Sequence, residues 1–528
     1  MGVPGPRAPR VSITRDPDVL APFLEDAAHF PGGHADGIAA PACVEEVVDA
    51  LRAARAVLPI GAQSSLTGGA TPMGETLLST ARLNRIIEIG DDCVRVQAGV
   101  PLTALDQALA RAGKSYPPAP TFMGAFVGGI VATNAAGAAT FKYGTTRHWV
   151  RALTVVLPDG DVIDIERGML CATADGAFDI PLRGRTLRVP VPRYRIPNVP
   201  KSSAGYYAAP GMDLVDLFIG SEGTLGVIAE VTLRVLPVRP AQCLAFVPFA
   251  DRGGAFAFVR RLRDEARATW RSKDPRGLDV AAIEHMDARC IALVREDAID
   301  RLHGVVIPPA AQVALLITLE LPADTDPAQA YEQIGRAREA GAPDTALVRF
   351  CRALDGAGVL DQVEIAVPGD HARAAQLLAV REAVPAAVNA RVGRAKQTVD
   401  ARIAKTAADT IVPFDRLPEL LALYDREFRR RGLDAAIWGH ISDGNLHPNV
   451  IPRSIADVES GKEAILACGR EAIRLGGSPL AEHGVGRSPV KQRLLEELYG
   501  RDGIEDMRRV KRAIDPEWRM APGVLFTQ

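Results

Sequence analysis

Three glycine-rich strings in the first half of the chain restrict how that half can fold. They are GAQSSLTGG at 61–69, GGIVATN at 128–134 and GSEGTLG at 220–226. Singly, each has a plain explanation: a surface turn, close packing of a helix or strand, and a hairpin with a bulge. Glycine also lets backbone N–H groups close around an anion, and lets a flat ligand lie on the main chain. None of the three is a phosphate loop ending in Gly-Lys-Ser/Thr, and none is GxGxxG. Three such turns in one domain, each ending a strand, imply one long ligand threaded between them.

The periodicities around these turns alternate between helix and strand. VEEVVDALRAARA and PLTALDQALARAG read as helices and VLPI as a strand. IIEIGDDCVRVQAGV reads as two strands broken at Gly90, Asp91 and Asp92, and VRALTVVLPDGDVIDI as a hairpin around Pro158, Asp159 and Gly160. LFIGSEGTLGVIAEVTLRVLPV reads as strand, tight turn, strand. The expected fold class is α+β. A Pro/Gly-rich loose arm is expected over 1–35 and a first α+β domain over 36–238, ending near Pro237 and Pro240. A second α+β domain is expected over 239–480 and a C-terminal segment over 481–528. A polar, Pro-rich insertion occupies 166–212. A chain of 528 residues exceeds what one core normally serves, and 47% hydrophobic residues suffice for more than one.

A formal charge of −2, with Lys and Arg scattered, argues against nucleic acid and against an anionic lipid surface. Seven dispersed cysteines without a CxxC point to a reducing compartment, and exclude an iron–sulfur cluster of the usual spacing held by this chain alone. The first ten residues, MGVPGPRAPR, lack the apolar stretch of a secretory signal. Residues 115–141 carry no charge, yet Pro117, Pro118 and Pro120 open the stretch and Gly124, Gly128, Gly129, Thr133, Asn134 and Gly137 punctuate it. It reads as a buried ligand loop rather than a membrane span. A cytoplasmic location is expected, peripheral to the inner membrane at most.

The second half holds GHISDGNLH and, a few dozen residues on, AEHGVGR. His440 and His447, with a carboxylate from Glu482, suit a borderline divalent ion such as zinc and leave coordination positions open. Two unaccompanied histidines would read as a hydrogen-bonded strand-and-turn pair. The Glu482-His483 string shifts the reading to metal, and His483 can move a proton at neutral pH. Asp443 and Gly444 make the turn between the two histidines, and Asp443 is the weaker alternative ligand.

Together the strings PIGAQSSLTGGATP, GGIVATNAAG followed by KYGTTRHWV, GSEGTLGVI, GHISDGNLHP and AEHGVGR resemble the FAD-linked oxidases and dehydrogenases of the vanillyl-alcohol-oxidase/PCMH fold. The second half is similar to the D-lactate, glycolate and D-2-hydroxyglutarate dehydrogenase group, and the likeness spans about residues 40–526. It implies a PCMH-type FAD-binding domain, a substrate-binding cap domain and a C-terminal helical segment returning to the FAD domain. The implied FAD contacts are Gly61, Ala62, Gln63, Ser64, Ser65, Gly68, Gly69, Pro118, Gly128, Gly129, Thr133, Asn134, Gly137, Glu222, Gly223, Gly226 and Ile228. No histidine lies between Pro59 and Pro72, so the flavin is expected to be non-covalent, with His148 a remote alternative for a tether. The implied metal ligands are His440, His447 and Glu482, with His483 as base and Asn445 as a substrate or flavin contact. Arg381 in AVREAVPAA matches the arginine that relatives place on the substrate carboxylate, although a solvated helix face would also hold an arginine. Lys405 is a weak match to a lysine of relatives. The chain has Ala521-Pro522-Gly523 where relatives often have Asn-Pro-Gly.

The implied reaction is oxidation of a D-2-hydroxy acid to the 2-oxo acid by hydride transfer to flavin N5. Electrons would leave to an external acceptor: a quinone, a cytochrome, an electron-transfer flavoprotein or an iron–sulfur subunit. Any self-association is expected to be a homodimer. Two alternatives stand beside it: an ether-lipid synthase-like transferase using FAD, and a non-catalytic flavoprotein subunit of a larger complex.

Overall fold

The computed structural model describes residues 11–118, 120 and 122–528. The chain divides into two compact units. Unit one comprises the residues up to 137, 144–237 and 478–528; unit two comprises 138–143 and 238–477. Residues 1–10 of the expected N-terminal arm lie outside the described residues. The rest of that arm carries the short helix Pro17–Leu20, and Thr14 bridges to Ile38.

Unit one has two main sheets. In the parallel three-stranded sheet, Thr76–Ser79 lies between Gly37–Ala39 and Val57–Ile60. The five-stranded antiparallel sheet runs Ile86–Ile89, Cys93–Gln97, Val227–Arg234, Val150–Val156, Val162–Glu166. Alternation sets its faces: Val94 and Val96 are buried, while Arg95 reaches across the outer face to Glu230 at 2.6 Å. Helix Leu102–Arg111 buries Leu102, Leu105 and Leu109, a one-face helical spacing.

The expected first strand of LFIGSEGTLGV is instead helix Leu214–Phe218. A short, fully buried apolar run fits either element, and Asp213 decides it by accepting the Val215 N–H at 2.9 Å as an N-cap. The 166–212 insertion is not wholly irregular. It carries the hairpin of Ala177–Leu182 and Arg185–Pro190.

The C-terminal segment adds helix Pro489–Ile514 to unit one, and its tail joins the open edge of the parallel sheet. Val57 donates to the Arg519 carbonyl at 2.8 Å, and Ala521 donates to the Val57 carbonyl at 2.7 Å. Lys511 is buried, and its ammonium donates to Asp515 at 2.5 Å, to the Thr224 carbonyl at 2.6 Å and to the Met520 carbonyl at 2.7 Å. One cation thus ties the helix, the tail and the third glycine-rich turn.

Unit two is built on one antiparallel sheet in the order Glu364–Ala366, Ala241–Phe249, Val313–Leu321, Asp279–Asp287, Ala435–His440, Asn445–Val450, Thr406–Ala407, with Thr410–Ile411 also pairing to Asn445–Val450. Both faces are covered. In Ala241–Phe249 the residues Ala245, Val247 and Phe249 join one apolar cluster with helix Arg252–Ser272, while Leu244 and Phe246 join another with helix His371–Thr398. Sheets covered on both sides have strands that read as continuous apolar runs, as these do.

Lys511→Met removes the one ion-pair partner that the buried Asp515 carboxylate has among the described residues, and is expected to cost about 3–5 kcal/mol of stability in urea denaturation. Lys511→Met combined with Asp515→Leu should recover most of it. A single variant as stable as the wild type would show that Lys511 does not hold the tail.

Candidate active site

Unit one contains a cavity of 320 Å³ walled by all three glycine-rich turns. Gly61, Ala62, Gln63, Ser64, Ser65 and Gly69 line it from the first turn, and Gly128, Gly129 and Thr133 from the second. Glu222, Gly223, Gly226 and Ile228 line it from the third. The two adjoining glycines of the second turn differ in what they do. A Cβ on Gly128 would fall 2.6 Å from Ala98 Cβ, so Gly128 serves packing; a Cβ on Gly129 would meet nothing within 4 Å, so Gly129 leaves the cavity open.

Four expected contacts are not on this wall. Gly68 is left-handed and folds against the Phe30 ring. Asn134 turns away, accepting the Arg147 N–H at 3.0 Å and donating to the Ser202 carbonyl at 3.4 Å. Pro118 and Gly137 do not reach the cavity; Pro120 and Phe122 line it from the same stretch. Phe126 and Thr80 also line it, and nothing in the strings around them singled them out. Gln63 lines the cavity, yet its side-chain amide is committed to the Phe23 and Ala70 carbonyls at 2.9 and 2.8 Å, which brace the loop. His148 lines a different, 1090 Å³ cavity, away from the first turn's wall.

Glu482 and His483 stand on the cavity wall as well. Glu482 Oε2 accepts from Lys201 Nζ at 2.6 Å, and the Lys201 side chain is fully buried. His483 Nε2 lies 3.7 Å from Glu482 Oε1, with its ring partly open to solvent. Lys201 was not foreseen: it is one cation in a Pro-rich loop, and its partner is 281 residues away. Among the described residues no lysine or arginine lines the cavity; the titratable groups on its wall are Glu222, Glu482 and His483. An anionic group placed here must be held by backbone N–H groups and hydroxyls.

Unit two carries the two other histidines on paired strands, Ala435–His440 and Asn445–Val450. Gly444 makes the turn: a Cβ there would sit 2.2 Å from the Val412 carbonyl oxygen. The two rings face edge to plane, 5.5 Å between centroids. His440 Nδ1 makes a short hydrogen bond to Glu284 Oε1, and Glu284 Oε2 accepts from Arg381 Nε and Nη2 at 2.7 and 2.6 Å. Burial alone would raise the Glu284 carboxyl, but the Arg381 guanidinium and the His440 imidazole outweigh it and hold the acid well below the usual carboxylate range. An ionised carboxylate only accepts, so His440 Nδ1 carries the proton in this bond; in the neutral imidazole the lone pair is then on Nε2. His447 Nδ1 lies 3.5 Å from Asp409 Oδ1. An imidazole backed by a carboxylate at one nitrogen, as His440 is by Glu284, is the ordinary support of a metal-ligating histidine, and imidazole and carboxylate donors suit a borderline divalent ion.

The structure gives Arg381 and Asn445 work inside unit two. Arg381 is buried on helix His371–Thr398, with two of its nitrogens on Glu284. Asn445 Nδ2 donates to Asp409 Oδ1 at 3.2 Å and to the Thr410 carbonyl at 3.0 Å. Asp443 Oδ1 caps the Asn445 N–H at 3.1 Å, the turn role expected for it. Lys405 is half-buried just before strand Thr406–Ala407. The Ala521-Pro522-Gly523 turn persists, with the Pro522 carbonyl accepting from Arg487 at 2.6 Å.

Residues 35–166 match the family described as FAD binding domain, and residues 241–525 match FAD linked oxidases, C-terminal domain. The chain is 31% identical over 508 residues to a D-2-hydroxyglutarate dehydrogenase of Xanthomonas citri pv. viticola, covering 93% of this chain and 89% of that one. It is 26% identical over 476 residues to a D-lactate dehydrogenase of Anaerostipes hadrus, covering 88% and 83%. In fold it is similar to a solved alkyldihydroxyacetonephosphate synthase, with a TM-score of 0.59 and 17% identity over 97% of this chain and 82% of that one. The chain belongs to the FAD-linked oxidases, with an α+β fold that joins an FAD-binding domain to the family's C-terminal domain.

Proposed function

We propose that this protein is an FAD-dependent dehydrogenase that converts a D-2-hydroxy acid into the 2-oxo acid. The observation that carries the reading is His483, partly open beside Glu482 on the wall of the glycine-lined cavity. The names of the relatives, a D-2-hydroxyglutarate dehydrogenase and a D-lactate dehydrogenase, support the substrate class. When bound, non-covalent FAD supplies the two-electron acceptor, and a divalent cation, zinc in this reading, supplies Lewis acidity toward the substrate hydroxyl.

The remaining work falls to the chain. His440, His447 and Glu482 are the proposed ligands of the cation. Glu284 backs the His440 imidazole at Nδ1, and Asp409 lies 3.5 Å from His447 Nδ1. His483 takes the hydroxyl proton on its imidazole as the substrate's Cα–H leaves as hydride and the C–O bond becomes a carbonyl. Arg381 holds Glu284 and offers its positive charge to the substrate carboxylate; Asn445 fixes Asp409. Electrons then pass to an external acceptor, since the seven thiols are separate and form no cluster. Among the described residues no helix is long and apolar enough to cross a membrane.

Anaerobic mixing with D-lactate, D-2-hydroxyglutarate and glycolate is expected to bleach the flavin with at least one acid, and with the D-form faster than the L-form. Metal removal by a chelator should slow bleaching, and added zinc should restore it. His483→Asn should slow it by about 10²–10⁴-fold. Full bleaching by metal-free enzyme, or a wild-type rate from His483→Asn, would defeat the corresponding role.

Glu284→Gln replaces an acceptor-only group and lets the His440 tautomer relax. It is expected to weaken zinc binding about 10–100-fold, read by competition with a chromophoric chelator. Unchanged zinc affinity would separate Glu284, and with it His440, from the ion.

A further inference from the structure

We infer that Glu222 is a positioning residue for His483: its carboxylate holds the turn that carries the imidazole. The inference rests on the reading of His483 as the base. Glu222 has φ 51°, in the left-handed region where a side chain is strained and glycine is not. Its neighbours Gly220 and Gly223 are also left-handed. A glycine at 222 would take this backbone without strain. The chain instead places a carboxyl there and buries it, and burial pushes that carboxyl up to about 7 even against two N–H bonds and the nearby Lys491 charge. Strain and desolvation both oppose the residue, so a compensating use is expected.

The contacts show the use. Glu222 Oε1 accepts the Val485 N–H and Oε2 accepts the Gly486 N–H, each at 2.8 Å. These are the second and third residues after His483. The turn is built to receive the carboxylate. Gly484 is left-handed, and a Cβ on it would lie 2.9 Å from Glu222 Oε1. Gly486 is left-handed too, and a Cβ on it would lie 2.3 Å from Thr67 Oγ1. Upstream, Lys201 holds Glu482 at 2.6 Å; downstream, Gly484 N–H also donates to Ser203 Oγ at 3.0 Å. His483 therefore stands between fixed points on both sides, and Glu222 supplies two of the bonds on the downstream side. Proton transfer demands placement of the base to a fraction of an ångström, which one lost bond in a glycine turn can spoil.

The test separates positioning from mere support of the fold. Glu222→Gly should keep bound FAD and still melt in one cooperative transition, because the removal of strain and of a buried carboxyl offsets part of the cost of the two lost N–H bonds. The same variant should reduce its flavin about 10–100-fold more slowly with D-2-hydroxyglutarate and D-lactate as probes, with KM little changed. Glu222→Gln, which can accept only one of the two N–H bonds, should fall between. Hydrogen exchange at the Val485 and Gly486 amides should quicken in both variants. Combining Glu222→Gly with His483→Asn should be no slower than His483→Asn alone, since both act through one group. A wild-type reduction rate in Glu222→Gly, additive losses in the double variant, or loss of FAD together with a lower melting temperature would each overturn the inference. A slow His483→Asn beside a fast Glu222→Gly sinks the positioning role alone; a fast His483→Asn sinks the base and the positioning role together.

Discussion

A charge taken out of water must meet an opposite charge at once, and this requirement organises both units. In unit one the buried pairs are Lys201 with Glu482, Arg487 with Glu75 and Lys511 with Asp515. In unit two Arg381, Glu284 and His440 form a single line of donor, carboxylate and imidazole. Replacing such a pair by apolar residues often costs nothing, whereas removing one member costs several kcal/mol. Their value is therefore in specificity of geometry. Lys201 with Glu482 and Arg487 with Glu75 join segments far apart in the chain, as Arg381, Glu284 and His440 do in unit two, whereas Lys511 and Asp515 are one helical turn apart. In unit one the two long-range pairs fall on the turn at 482–487, and in unit two the line of charges ends on His440.

This also explains what could be read from the residues and what could not. The glycine turns were legible because glycine reports a local backbone requirement, and the cavity of unit one is walled by all three. The histidine string was legible because imidazoles are few, nine in 528 residues. Glu284, Asp409 and Lys201 were not legible. They are three among 62 basic and 64 acidic residues, and what distinguishes them is a partner 281, 156 or 38 positions away that only the fold brings near. Asn134 was misplaced for a related reason: an amide beside glycines suits a ligand, but it suits two backbone groups equally well, and those are what it meets. Helix Leu214–Phe218 reads as a strand in the sequence because five buried residues carry no period, and the deciding Asp213 cap lies just outside the run.

Among the described residues the cavity proposed for FAD has no lysine or arginine on its wall, although the cofactor carries a pyrophosphate. A lysine would attract the phosphates strongly but would also have to be desolvated, and it would stand beside Glu222 and Glu482. Backbone N–H groups carry partial charge without that penalty, and the loop at 61–66 presents them from a segment braced by the Gln63 amide. The glycines thus serve three separable ends here: Gly128 lets Ala98 approach, Gly129 keeps space open, and Gly444 permits a turn under the Val412 carbonyl. Treating them as one motif would miss that only the second of these is about the ligand.

The turn at 482–487 shows how far such a scaffold accepts local cost for position. Left-handed Gly484 and Gly486 give up the conformational restriction that a side chain would confer on the unfolded chain, and left-handed Glu222 adds strain in the folded one. The role proposed for His483 calls for a side chain at a fixed point that solvent can still reach, and its neighbours' backbone is held while its own ring is 28% exposed. His285 shows the opposite arrangement: it is tightly packed, and burial pushes it down to about 4.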